Sequence, residues 1–258
     1  MKRTLPPPDP FRFGWRYVQQ IGPDGSKKSV QVPLTLDDVL HPQEGDHIPD
    51  NSQQSRDCVY LYDVSKLRLA GNAHAVVFND VLINWGVPGL RNHSPDISVF
   101  DGVSDPTRNW KTFRVAEEGA RCLLVIEIAS PDTHDRQARD NDVVTKVREY
   151  YRAGVPLYVI VDQKHVDGPR QVIGYRGGTR KYLRMRPDRQ GRLLLEPVRL
   201  LLGFQDERVV CWDADTGKEI GDFTAATQAR DAAEAALAEA QARLRALEAQ
   251  LRHNGSLQ

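Results

Sequence analysis

Three residues form a set whose types can do chemistry together: Asp96, Glu127 and Lys146. Glu127 lies inside Cys122-Leu123-Leu124-Val125-Ile126-Glu127-Ile128, an otherwise apolar run. A carboxylate buried in such a run is costly unless it is paired or binds a cation. Strand parity puts Glu127 on one face with Leu123 and Val125, with Ile126 and Ile128 facing the other way. Asp96 follows Pro95 and opens Ile97-Ser98-Val99-Phe100, a second β-forming stretch. If the two strands are neighbours, both carboxylates meet at one end of them and can hold a hard, oxygen-preferring cation such as Mg2+ or Mn2+. Such a cation polarises a phosphate and lowers the pKa of a bound water. A lysine close by orients that water or stabilises the developing charge, and the long stem of Lys146 can carry its ammonium from an apolar helix face toward the acids. This is the chemistry of metal-dependent phosphodiester hydrolysis.

The elements that must position these groups are legible around them. Leu123 to Ile128 is short and nearly all apolar, the pattern of a central strand covered on both faces. Arg136 to Ala153 reads as a helix that carries Lys146 and places Val143, Val147, Tyr150 and Tyr151 on or beside one face. Gly154 supplies a left-handed stop and Pro156 blocks resumption. Leu157 to Val161 is a second buried strand. Strand, helix and strand with short links form a crossover unit, so these two strands are expected to be parallel.

Outside this centre, Trp15 to Val18 and Ser29 to Val32 flank a turn at Gly22-Pro23-Asp24-Gly25 and predict a hairpin. Thr35 caps a short helix over Thr35 to Leu40. His41 to Ser55 reads as a loop, and Asp57 to Ala70 as an amphipathic helix. His74 to Asn84 is a strand, or two strands about Asn79-Asp80. Gln171 to Tyr175 and Arg180 to Met185 form a hairpin, and Leu193 to Leu195 and Val209 to Trp212 are further strands. From Thr224 the composition turns to Ala, Glu, Arg, Gln and Leu, and Ala226, Arg230, Ala233, Leu237, Ala240, Leu244, Leu247 and Leu251 follow steps of four and three, a heptad seam. The fold class expected is α/β (α+β), a mixed sheet flanked by helices with a C-terminal coiled-coil helix. The divisions are an N-terminal extension over 1–28, a main domain over 29–222 and the helix over 223–258.

The chain has 258 residues, enough for one large domain and an appendage, and its formal net charge is zero. No global field draws it to nucleic acid or membrane, so binding to DNA must use a local patch. The patch expected is Lys164 to Arg192, where arginines and lysines outnumber Asp167 and Asp188 and are interleaved with Tyr175 and Tyr182. Cys58, Cys122 and Cys211 match neither a disulfide framework nor a metal spacing, which points to a reducing, cytoplasmic setting. No segment has the length and apolarity of a membrane span or of a signal peptide.

Pro95-Asp96 followed by Glu127 resembles the PD-(D/E)XK restriction-endonuclease superfamily. Pro95-Asp96-Ile97-Ser98-Val99, then Val125-Ile126-Glu127-Ile128-Ala129-Ser130-Pro131, then Lys146-x-x-x-Tyr150-x-x-Ala153-Gly154-Val155-Pro156-x-Tyr158-x-Ile160-Val161-Asp162 resembles more closely the Uma-type family of endonucleases, over roughly residues 30 to 220. The resemblance implies a restriction-endonuclease-like mixed sheet, Asp96 and Glu127 as metal ligands, and Lys146 as the catalytic lysine. The superfamily's usual lysine position, two residues after the glutamate, holds Ala129 here, so Lys146 must act from the helix. The superfamily's additional early acid has only Asp80 and Glu44 as candidates.

Each residue also has a plainer reading. Asp96 can cap a turn, Glu127 can pair with a buried arginine, and Lys146 can be a solvated lysine pairing with Asp142. Tyr150 is expected in the core, His134 and His165 in surface loops, and Asp162 at the end of its strand. Asp135, Asp140 and Asp142 suit a helix start. On the nuclease reading the chain is an endodeoxyribonuclease that binds DNA and forms a homodimer or other oligomer through its last helix. The alternative is a non-catalytic nuclease-fold scaffold that binds partners through its coiled coil and basic loops, or a DNA-binding protein that does not cut.

Overall fold

In the computed structural model the described residues are 9–40, 43, 45–48, 52–129, 141–163 and 168–255. Glu44, His134, Asp135, Asp140 and His165 lie outside them, as do residues 136–140 of the expected long helix. At the centre is a six-stranded sheet in the order β11-β10-β9-β8-β6-β4. Its strands are β4 (Val76–Phe78), β6 (Ile97–Asp101), β8 (Arg121–Ile128), β9 (Leu157–Gln163), β10 (Arg170–Gly177) and β11 (Tyr182–Arg184). Only β8 and β9 run parallel, as their helical connection requires, and the other neighbours are antiparallel, so the sheet is mixed.

Parity sorts the side chains of this sheet into two cores. Ile97, Val99, Leu124, Ile126, Ile128, Leu157, Val159 and Val161 pack on one side against Cys58, Leu61 and Val64 of α2 (Ser52–Leu69). That side is completed by a second sheet of β12 (Leu193–Leu195), β13 (Leu200–Gln205), β14 (Arg208–Asp213) and β15 (Glu219–Ile220). On the other side, Phe100, Val125, Ala129, Tyr158 and Ile160 pack against Trp85, Phe113 and Tyr150. Phe113 comes from β7 (Thr112–Arg114), which pairs in parallel with β5 (Leu82–Asn84) and leads into α3 (Val115–Glu118). Tyr150 comes from α4 (Lys146–Arg152), entered through a turn of π winding at Asn141–Thr145. Gly154 has φ 78°, a left-handed conformation in which a side chain would be strained, and it ends the helix where expected.

The N-terminal hairpin forms from β1 (Trp15–Ile21) and β2 (Lys27–Pro33). The short helix α1 (Leu36–Leu40) is capped at Thr35, whose hydroxyl accepts the Asp38 N–H at 3.2 Å while the Asp38 carboxylate accepts the Thr35 N–H at 2.8 Å. The stretch expected as a loop after His41 differs. It holds β3 (Asp46–His47), which pairs with β1, and α2 begins at Ser52 rather than Asp57. The Arg16 guanidinium draws Asp38 at 2.6 Å and Asp46 at 2.8 Å to β1, a tertiary tie that local propensity does not carry. The turn between β4 and β5 is made at Asp80, with φ 51°. The last helix, α5, runs Phe223–Gly255.

Candidate active site

Glu127 and Asp96 reach one place through sheet register. β6 and β8 pair Ile97 with Ile126, so Asp96 stands beside Glu127 on the next rung, and directly opposed residues share a face. That face is the one covered by α4. Asp96 is half-buried, and its Oδ2 accepts the Ile128 N–H at 2.6 Å, which ties the end of β6 to β8. Glu127 is only 3% exposed.

Two groups from α4 converge on the same Glu127 oxygen. The Lys146 ammonium lies 3.0 Å from Oε1, and the Tyr150 hydroxyl donates to Oε1 at 2.5 Å. Residues four apart in a helix share a face, which is why one helix delivers both. The Lys146 side chain is 18% exposed, so the ammonium stands at the rim of the buried site rather than in open water. Among the described residues, the cation 3.0 Å from Glu127 is a lysine and not an arginine, and Lys146 is turned to the acid and not to open solvent. The chain therefore brings together Glu127, Lys146 and Asp96, separated by up to fifty positions of sequence. Tyr150 belongs to the core as expected, being fully buried, and also carries a polar contact to the acid.

A layer of support behind Tyr150 has no counterpart in the sequence reading. The Tyr150 ring packs on His93 at 4.8 Å between centroids, on Tyr158 at 4.8 Å and edge-on to Trp85 at 5.8 Å. The Trp85 indole N–H donates to His93 Nδ1 at 2.9 Å. An indole nitrogen can only donate, so Nδ1 is unprotonated and Nε2 carries the proton, which it gives to Glu149 at 2.9 Å. Burial holds the His93 pKa below the usual 6.5, aided by the charges of Arg91 and Lys146, against the opposing pull of Glu149. Burial pushes Glu149 up, but the hydrogen bonds from His93 and Arg91 and the Arg91 charge outweigh it, so its pKa is lowered. Arg91 Nη2 reaches Glu149 at 2.9 Å. The one available signal was position: Glu149 lies three residues after Lys146, and His93 three before Asp96.

Asp162 does not end its strand. It sits within β9, fully buried, on the Glu127 face one step beyond Ile160, the partner of Glu127, and accepts the Gln171 amide at 2.8 Å. Asp80, the other early acid considered, forms the β4–β5 turn and donates its N–H to the Pro95 carbonyl at 3.1 Å.

Two carboxylates on adjacent rungs suit a cation that keeps several of its waters and takes one or two protein acids. Among the described residues no group of three His, Cys, Asp or Glu forms a fuller cage, so a closed structural site of the zinc type is not what they present. The turn of the β10–β11 hairpin abuts the helix that carries Lys146: the Tyr151 hydroxyl donates to the Gly178 carbonyl at 3.1 Å. Arg180, Lys181, Arg184, Arg186 and Arg189 on and after this hairpin are exposed, and among the described residues they form no ion pair. No helix among the described residues is long and apolar enough to cross a membrane.

Residues 44–209, more than half of the chain, match the family Uma2, described as "Putative restriction endonuclease". Among solved structures the chain is similar to that of a "putative nuclease belonging to DUF820" from Anabaena variabilis, with 20% identity, a TM-score of 0.40, and coverage of 60% of this chain and 87% of that one. No curated protein matches the chain.

Proposed function

The chain belongs to the Uma2 family, and from that membership and the geometry around Glu127 we propose that it is an endonuclease hydrolysing phosphodiester bonds in DNA with Mg2+ or Mn2+. The observation that carries this reading is the meeting of Lys146 with Glu127 at 3.0 Å, beside Asp96 on the adjoining strand. Asp96 and Glu127 would hold the cation. Once bound, the cation would supply polarisation of the scissile phosphate and a more acidic water. Lys146 would orient that water or stabilise the charge that develops on the phosphate. Tyr150, through its hydrogen bond, fixes the orientation of the Glu127 carboxylate, and the layer of Trp85, His93 and Glu149 fixes Tyr150. DNA would lie along the exposed arginines of the β10–β11 hairpin, which abuts the helix carrying Lys146. The last helix would join two copies of the chain.

The test is cleavage of plasmid and of short duplex DNA by the purified full chain, with Mg2+ or Mn2+ and with chelator. Metal-dependent cleavage is expected, lowered at least about a hundredfold by Lys146→Ala and by Glu127→Ala, the size of effect typical of removing one charge-stabilising group. Binding of DNA by the wild type without product, in metal and in chelator alike, would replace this reading with that of a non-cutting binder. A calorimetric titration with Mg2+ that is flat for both wild type and Glu127→Ala would favour the scaffold.

A further inference from the structure

The helix α5 (Phe223–Gly255) is 33 residues long, and from Phe223 to Leu247 its described side chains are exposed except the half-buried Thr227. Leu237, Leu244 and Leu247 are 60%, 58% and 52% exposed, a line of leucine in water along one seam. The seam has an uneven composition. Its a positions are Arg230, Leu237, Leu244 and Leu251, and its d positions are Ala226, Ala233, Ala240 and Leu247.

We propose that this face is covered by the same helix of a second copy of the chain, running antiparallel, in the register that sets Ala233 on the partner's Leu244, Leu237 on the partner's Ala240 and Arg230 on the partner's Leu247. This gives an orientation and a register to the self-association proposed above, and it rests on that reading but not on the nuclease assignment.

Size complementarity favours it first. Parallel pairing stacks a on a and d on d, so between Ala233 and Leu244 alanine layers alternate with leucine layers, and the leucines hold the helices apart where the alanines should touch. Antiparallel pairing in this register opposes one large and one small residue in the layers between Ala233 and Leu244, which packs at even spacing. Arg230 is the second observation. Parallel pairing would set two arginines in one layer of the seam. On its own helix Arg230 already reaches Asp231 at 2.9 Å and Glu234 at 3.7 Å, and the antiparallel register keeps it apart from its copy. Charge is the third. Arg230, Asp231, Glu234 and Glu239 give the first half a net charge of −2, and Arg243, Arg245, Glu248 and Arg252 give the second half +2. Antiparallel pairing sets the net-acidic half of each helix along the net-basic half of the other. The roots of the two helices would then stand about 45 Å apart, from about thirty residues at 1.5 Å each. The two sites would act singly rather than on one phosphate pair.

Sedimentation equilibrium of the full chain, with the body checked by circular dichroism, tests the association. A dimer is expected, weakened at least about a hundredfold in Kd by Leu237→Glu with Leu244→Glu. Disulfide trapping tests the orientation, since Cys58, Cys122 and Cys211 are buried and leave introduced thiols to report. Ala233→Cys mixed with Leu244→Cys should cross-link, and neither should do so alone, because two copies of residue 233 would be about 16 Å apart along the axis. A monomer at all concentrations overturns both the association and the register. A dimer unaffected by the leucine substitutions overturns the helix as the interface. A dimer in which Ala233→Cys alone cross-links overturns the antiparallel register and leaves the association standing.

Discussion

Lys146→Met removes the ammonium at 3.0 Å from Glu127 and keeps most of the apolar stem. At an effective dielectric of about 20, two unit charges at that distance attract by about 5.5 kcal/mol before the cost of desolvating them is subtracted. Glu127 is 3% exposed and bears most of that cost. Losing one partner of a buried pair is worth about 3–5 kcal/mol, and the partial exposure of Lys146 argues for the lower end, about 3 kcal/mol. Glu127→Gln should cost less, about 1 kcal/mol, because the lysine at 18% exposure can turn its ammonium to water and the glutamine carbonyl can still accept from Tyr150. The double variant should then cost about 2 kcal/mol, leaving a coupling of about 2 kcal/mol. Urea unfolding followed by tryptophan fluorescence and by far-ultraviolet circular dichroism measures all four proteins, with an unchanged slope as the check that the same surface unfolds. Two single effects below about 0.5 kcal/mol that simply add would mean that the pair does not form in solution. The convergence on Glu127 would then be lost as an argument for the site.

Tyr150→Phe deletes a hydroxyl that donates to a buried carboxylate, so the same unfolding assay should show a loss of about 2 kcal/mol, and cleavage should slow at least about tenfold. His93 has its pKa lowered in the fold, so its neutral form stabilises the protein; that contribution is whole above the usual value of 6.5 and is lost as pH falls through the folded pKa. Unfolding measured between about pH 7 and 5 should therefore steepen by up to about 1.4 kcal/mol per pH unit in the wild type, and His93→Gln should flatten it. Replacing Arg184 and Arg186 together by alanine should weaken DNA binding at all sequences and reduce the slope of log K against log salt by about 2, read by fluorescence anisotropy. An unchanged slope would remove the β10–β11 hairpin from the DNA surface.

Membership of the Uma2 family gives these experiments their frame, and the site's own geometry gives them their direction. Glu127 is held by the sheet rung shared with Asp96 and by Lys146 and Tyr150 of one helix, Tyr150 being seated by the aromatic layer behind it. A carboxylate so fixed does not need to reorganise when charge develops near it, which is where such sites gain rate.

The sequence by itself determined whatever depends on neighbours along the chain. The apolar run around Glu127, the stop at Gly154 and the length of the link required β8 and β9 to run parallel across a helix, and they do. Thr35 marked a helix start and Gly22 to Gly25 a hairpin, because caps and turns are satisfied within a few residues. Tertiary structure decided what depends on residues brought from far away. β7 pairs with β5, whose residues lie about thirty positions earlier, outside any local window, so it did not stand out from its own residues. The same is true of the site. Parity placed Glu127 on a face, but only the packing of α4 over that face brings Lys146 and Tyr150 to one oxygen atom. Only the return of the chain through residues 85 to 93 sets Trp85 and His93 behind them. Propensity is a property of a segment, whereas a buried ion pair is a property of the enclosure that several segments make together.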